Sequence, residues 1–266
     1  MKRIVLMTTL VVALAAAATA VASDASTNAK AACTTLRAKM GQAAFTHAYS
    51  SFGACVSSMA PVEQKNVTSA NALCTAEQGD ATFAVSHNGK TFDQFYGAGN
   101  KGKNAFGNCV STKAKASSQA EQQSRPNPSR SCRSLRTQMG APAFTALYGK
   151  SATARNAYGK CVSAWAHAQT NNELNAAAAC STEQNDVAFA ATHSGKTFAQ
   201  FYGTDAALAN AFGQCVSAKA KTAGQAQQQA TVAAAKTCLG EMSANSAAFK
   251  TKYRTFGRCV SQHVTH

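Results

Sequence analysis

The chain has 266 residues, 45% of them hydrophobic and only 14% charged, with 26 Lys and Arg against 11 Asp and Glu for a formal charge of +15. That length is enough for one or two domains with real cores, and the basic balance draws a protein to wall polymers, acidic polysaccharide, lipid headgroups or nucleic acid. Positive charge spread this thinly over a chain dominated by Ala, Ser, Thr, Gln and Asn argues against a dedicated nucleic-acid groove.

The N-terminus places two cations, Lys2 and Arg3, before an apolar run from Ile4 to Ala18, and Ala20-Val21-Ala22 then offers a small-residue cleavage site. This order predicts a secretory signal peptide over residues 1–22, since the apolar run is short for a membrane span. Cleavage would remove those two cations and lower the formal charge from +15 to +13. No later segment is apolar enough to span a membrane, so a secreted or cell-surface protein is expected. All ten cysteines lie beyond the cleavage site, and an even count in an exported chain reads as a disulfide framework.

Five repeat units follow, each bounded by two cysteines: Cys33/Cys55, Cys74/Cys109, Cys132/Cys161, Cys180/Cys215 and Cys238/Cys259. Each contains an aromatic pair four residues apart: Phe45/Tyr49, Phe92/Tyr96, Phe144/Tyr148, Phe198/Tyr202 and Phe249/Tyr253. Each ends in an aromatic-Gly-x-Cys-Val-Ser phrase such as "NAFGNCVS" or "NAYGKCVS". Inner units carry inserted loops ("GAGNKGK", "GKSATAR", "GTDAALA"), and the second and fourth add "SHNGKTF" and "THSGKTF".

Helix is the only period that fits. The aromatic pairs share a face at i and i+4, and Cys33, Leu36 and Met40, like Cys132, Leu135 and Met139, form one stripe. The expected fold is therefore all-α: five disulfide-stapled helical hairpins, stacked solenoid-like or gathered into a bundle, with pairing inside each unit expected and pairing between units, which would suit a compact bundle, the alternative. Gly97, Gly149 and Gly203 are expected to end helices in a left-handed conformation. Gly53, Gly107, Gly159, Gly213 and Gly257, two residues before a cysteine, are expected where a neighbouring backbone leaves no room for a Cβ. Pro126 and Pro128 mark a linker over 117–131 between units 1 and 2 (23–116) and units 3 to 5 (132–266). The matching stretch "KAKTAGQAQQQATVAAAK" has no proline and reads as continuous helix into Cys238.

The "NAFGxCVSxKAK" segments resemble those of poorly characterised exported repeat proteins of actinobacteria, whose cysteine-led helical units end in an "AFGKCVS"-like motif. The resemblance spans Cys33 to Ser261, although the outer units lack the "NA" before the aromatic. It implies an exported helical repeat protein and brings no activity or site residues with it.

Several patterns bear on chemistry. "AVSHNGKT" from Ala84 and "AATHSGKT" from Ala190 satisfy a loose phosphate-loop pattern, but the strand and glycine-rich turn such a loop needs are missing. A helix end at Gly89 followed by Thr91 as N-cap is the expected reading. Glu77 and His87 recur as Glu183 and His193, a pairing able to do acid–base work at a site between units, which makes an enzyme the alternative to a binding protein. Without a third recurring Asp, Glu or His there is no metal ligand set, and no cofactor is expected. The "CVS" serines recur without a His-Asp partner, Trp165 reads as a packing residue, and Asn66-Val67-Thr68 is a glycosylation acceptor sequence. The positive hint lies in the cations. Lys113, Lys115, Lys219 and Lys221 follow the staple phrase on an expected exposed face, and Lys101, Lys103 and Arg155 sit in the inserted loops. Such an array would bind an anionic cell-wall or extracellular polymer through many weak contacts.

Overall fold

A computed structural model describes residues 8–98, 102–149 and 156–264, with side chains from Asp24 onward. Among these residues the regular structure is all α-helix, apart from one isolated antiparallel bridge between Ala98 and Lys103. Helix α1 (Thr8–Met40) contains the expected cleavage point and carries Cys33, and α2 (Gln42–Tyr49) holds the first aromatic pair. Helix α3 (Phe52–Gly79) carries Cys55 and Cys74, followed by the short α4 (Phe83–Ser86) and α5 (Phe92–Tyr96). Helices α6 (Ala105–Ser124) and α7 (Pro128–Met139) carry Cys109 and Cys132, and α8 (Ala141–Tyr148) the third pair. Cys161 and Cys180 share α9 (Ala157–Gln184), which leads to α10 (Phe189–Thr192) and α11 (Phe198–Tyr202). Cys215 and Cys238 share α12 (Ala211–Ala244), the continuous helix expected from the sequence, before α13 (Ser246–Tyr253) and α14 (Phe256–Val264).

The cysteine expectation holds. Bridges join Cys74 to Cys109, Cys132 to Cys161, Cys180 to Cys215 and Cys238 to Cys259, each within its own repeat unit. Cys33 and Cys55 are disulfide-bonded as well. Loops of 21 to 35 residues closed in this way are worth roughly 3–4 kcal/mol each on the chain-entropy argument. Every aromatic pair occupies one short helix with ring centroids 5.0–5.3 Å apart. Each such contact adds about 0.5–1.5 kcal/mol beyond the area it buries.

Two compact bodies divide the chain, and neither is a continuous stretch. One combines the segment ending at Thr34 with Val56–Gln123 and Leu174–Ser217; the other combines Thr35–Cys55, Ser124–Glu173 and Ala218–His266. The first has a core of Val67, Ala70, Cys74, Phe83, Phe92, Cys109 and Val110, with Tyr96 and Phe106 against it. In the second, α8 packs on α7 and α14, and Leu36, Phe45, Leu135, Phe144, Cys161 and Phe249 are buried.

The prolines and glycines act differently from expectation at several points. Helix fills most of the stretch 117–131, leaving only 125–127 outside α6 and α7. Pro128 does not end a helix but starts one, at the first position of α7, where its missing N–H costs nothing. Asn127 caps that helix by accepting from the Ser129 N–H at 2.9 Å. Gly97, Gly149 and Gly203 close their helices in extended backbone (φ −72°, −79° and −67°), not left-handed. At Gly97 the requirement is space: a Cβ would meet the Asp93 carbonyl oxygen and the Gly102 backbone. Positive φ is found instead at, among others, Gly41 and Gly140 (+80° and +83°), after the Met of each front stripe, and at Ser50 and Arg254 (+60° and +62°), which follow the Tyr in the two outer units. The glycines before the staple cysteines divide. A Cβ on Gly213 would strike the Ser117 backbone and one on Gly159 the His47 ring, but Gly107 and Gly257 have nothing within 4 Å. Gly53 has only the Ser51 hydroxyl, at 3.9 Å. All five sit in the first turn of a helix, where an unfavourable propensity weighs little, so repetition alone does not signal a close approach.

Candidate functional site

The seven cations do not form a single class. Lys103, Lys115 and Lys221 are exposed, Lys219 is half-buried, and Lys101 and Arg155 lie outside the described residues. Lys113 corrects the expectation of a solvated face. It is 2% exposed, and its Nζ lies 2.9 Å from Glu77 Oε1. The reason is helical period: Lys113 stands four residues after Cys109 on α6 and therefore faces the same way as the sulfur. Lys115, two residues further on, turns outward.

Glu77, three residues after Cys74 on α3, faces the same bridge. Besides Lys113 it accepts from the Tyr96 hydroxyl at 2.9 Å, with Cys109 Sγ 3.8 Å away. The same arrangement recurs in the fourth unit, where the Tyr202 hydroxyl donates to Glu183 at 2.8 Å and Cys215 Sγ lies 3.9 Å away. Burial, then the neighbouring carboxylate, pushes the Tyr96 phenol well above its usual range. Burial, then the hydrogen bond and charge of Glu183, pushes Tyr202 up to about 12.

His87 has other partners. Its ring stacks on Phe83 with centroids 3.7 Å apart, and Nδ1 donates to the Phe83 carbonyl at 2.8 Å, which fixes the proton on that nitrogen. His193 repeats this on Phe189 with the same two distances. Glu77 and His87 thus have different polar partners, although Tyr96, which donates to Glu77, also packs against the Phe83 ring on which His87 stacks, and Tyr202 does the same between Glu183 and Phe189.

The remaining motifs are also accounted for structurally. The helix end falls earlier than Gly89, since α4 stops at Ser86 with His87 as its C-cap; Gly89, at φ +78°, folds back to donate its N–H to the Ala84 carbonyl at 2.8 Å, and Thr91 caps α5 through a reciprocal pair of bonds with Gln94. Thr197 and Gln200 repeat that cap on α11. Of the "CVS" serines, Ser111 donates to Asp24 and Ser217 to the Ala120 carbonyl. Trp165 is buried and donates to the Tyr148 hydroxyl at 3.2 Å. Asn66 is 1% exposed, and its amide donates to Glu63 at 3.2 Å and Glu121 at 3.1 Å. No glycan could be carried there in the folded chain. Cys238, Cys259 and His263 cluster closely enough for a metal, but the two sulfurs are bonded to each other and His263 meets Glu241 at 3.1 Å.

One basic site was not visible in the sequence. Lys39, Arg125, Pro126, Asn127, Arg130, Ser131, Ser134 and Gln228 line a cleft of about 380 Å³ in the second body. Its base is the buried Arg125, whose guanidinium pairs with the buried Glu173 at 3.0 Å and donates to the Thr170 hydroxyl at 2.8 Å. The Lys39 ammonium donates to the Arg125 carbonyl at 2.8 Å. Desolvation, followed by the charges of Arg125 and Arg130, pulls the Lys39 pKa below the usual lysine range. The three cations come from parts of the sequence 86 residues apart, so only folding brings them together.

Among the described residues, no helix is long and apolar enough to cross a membrane. Fold and bridges define an all-α, disulfide-stapled protein. Compared with known proteins, the chain matches no family model, no curated protein and no solved structure.

Proposed function

We propose that this is an exported, non-catalytic helical protein that holds anionic surface or extracellular polymers through its exposed basic residues. The observation that carries the reading is how the two signs of charge are distributed. Glu63, Glu121 and Glu173 are buried, whereas Lys103, Lys115 and Lys221 stand in solvent. Three buried acids against two buried cations, Lys113 and Arg125, leave the surface of the exported chain at least as basic as its formal +13 implies. Fully oxidised cysteines support export, because such bridges persist in oxidising compartments and are rare in reducing ones.

Retention on immobilised heparin tests the proposal. The oxidised protein should bind at low ionic strength and elute with salt, and the triple variant K103Q/K115Q/K221Q should elute earlier. Failure of the wild type to bind, or elution of the triple variant at the wild-type position, would refute it.

A further inference from the structure

The basic cleft has the makings of a discrete site. Lys39 stands in the last turn of α1, where its charge offsets the negative end of that helix, and Arg130 stands in the first turn of the 12-residue α7, whose dipole adds positive potential at that end. Asn127 already caps the helix, so an incoming group would be held chiefly by side chains. Those lining the cleft are the Lys39 ammonium, which already donates to the Arg125 carbonyl, the Arg130 guanidinium fork, the hydroxyls of Ser131 and Ser134, and the Gln228 amide. Gln228 and Gln138 both donate to the Ser134 hydroxyl, at 3.3 and 2.7 Å, which orients that hydroxyl's own proton away from them. No Asp or Glu lines the cleft, and the one acid beneath it, Glu173, is engaged with Arg125.

The lowered Lys39 pKa fits this setting: partial desolvation first, then the like charges of Arg125 and Arg130. A bound anion would relieve that repulsion. Donors converging from α1, α7 and α12 suit a group with several oxygens pointing in different directions, whereas a planar carboxylate would engage fewer of them. The cleft volume falls in the lower part of the roughly 300–1,000 Å³ range of small-ligand sites.

We infer that the cleft between Lys39, Arg130, Ser131 and Ser134 is a binding site for a tetrahedral oxyanion, a phosphate or sulfate group. The inference deepens the polymer-binding reading, for which it supplies the group recognised: a phosphate or sulfate ester on the polymer.

Isothermal titration of the oxidised full chain with inorganic phosphate and with sulfate, at fixed low ionic strength and with acetate in parallel, tests it. Phosphate or sulfate should bind at one site, and acetate at least about tenfold more weakly. The variant K39Q/R130Q should lose tenfold or more in affinity. The charge-matched control K236Q/K250Q, which removes two exposed lysines elsewhere, should retain it. Equal weakening by both double variants, equal binding of acetate, or no binding to the wild type would overturn the site. The two proposals fail separately. Heparin retention without oxyanion binding overturns the cleft and leaves the polymer reading standing. Oxyanion binding sensitive to K39Q/R130Q, in a protein that heparin does not retain, supports the cleft and overturns the polymer reading. Both target side chains are exposed, and near-identical circular dichroism of the variants is expected.

Discussion

Alanine substitutions at Gly213 and Gly107 should move stability in opposite directions, although both glycines occupy the same place in the phrase "NAFG". A Cβ on Gly213 would lie 2.5 Å from Ser117 Cα and 2.7 Å from its carbonyl carbon, and would press on the carbonyl oxygen. The obstacle is helix α6 backbone, which cannot swing aside as a side chain can, so α12 and α6 must separate locally. Overpacking of this kind costs typically 1–3 kcal/mol, and here it sits at the severe end. Helix propensity returns at most about 1 kcal/mol, leaving G213A less stable by about 2 kcal/mol. At roughly 2–4 °C per kcal/mol for a chain of this size, the midpoint should fall by about 4–8 °C. Gly107 is exposed, has nothing within 4 Å, and has no positive φ to preserve. G107A should therefore gain about 0.5 kcal/mol and melt 1–2 °C higher. Thermal and urea unfolding followed by circular dichroism, with the bridges intact, gives both numbers. A G213A protein melting at or above wild type would show that the close approach of α6 and α12 does not set the need for glycine.

Three other outcomes follow from the buried charges and phenols. E173Q leaves the Arg125 guanidinium buried without its counter-ion and should cost about 3–5 kcal/mol in urea unfolding, while R125M/E173Q recovers much of the loss. Tyr202 favours its neutral form in the fold, with a pKa raised from 10.0 to about 12. Its contribution is thus fully present below pH 10 and is lost as pH rises through about 12. Absorbance titration of the phenolates should show a late-ionising fraction that shrinks in Y202F. K113M should lower thermal stability by leaving the Glu77 carboxylate without its cation, yet leave heparin elution close to wild type. K115Q, one helical step away in solvent, should shift elution and not stability.

The parts of the fold written in local periodicity were readable without coordinates. Phe-x-x-x-Tyr named five of the short helices, and the stripe from Cys132 through Leu135 to Met139 named a buried face. The staples followed because each cysteine lies on the apolar stripe of its own helix. What local pattern did not decide was which of two similar residues meets a neighbour. Gly107 and Gly213 read alike, yet only one faces another backbone. Lys113 and Lys115 read alike as cations, although counting four from Cys109 would have placed the first beside the bridge. Asn66 carries an acceptor pattern that says nothing of the carboxylates folded around it. The basic cleft lay furthest from view, since Lys39 and Arg130 share no motif and meet only through the tertiary fold.

The bridge positions also govern what a peptide-bond cut can do. Apart from 125–127, the non-helical segments between the described helices, among them 203–210 and the turn at Asn245, lie between the two cysteines of a repeat unit, inside the closed ring. A protease attacking at such a segment opens the ring without releasing either end. The severed chain stays one covalent molecule, and its helices keep their neighbours until a reductant arrives. Damage of that kind would be invisible by mass on a non-reducing gel, and the nicked protein would persist as a working scaffold.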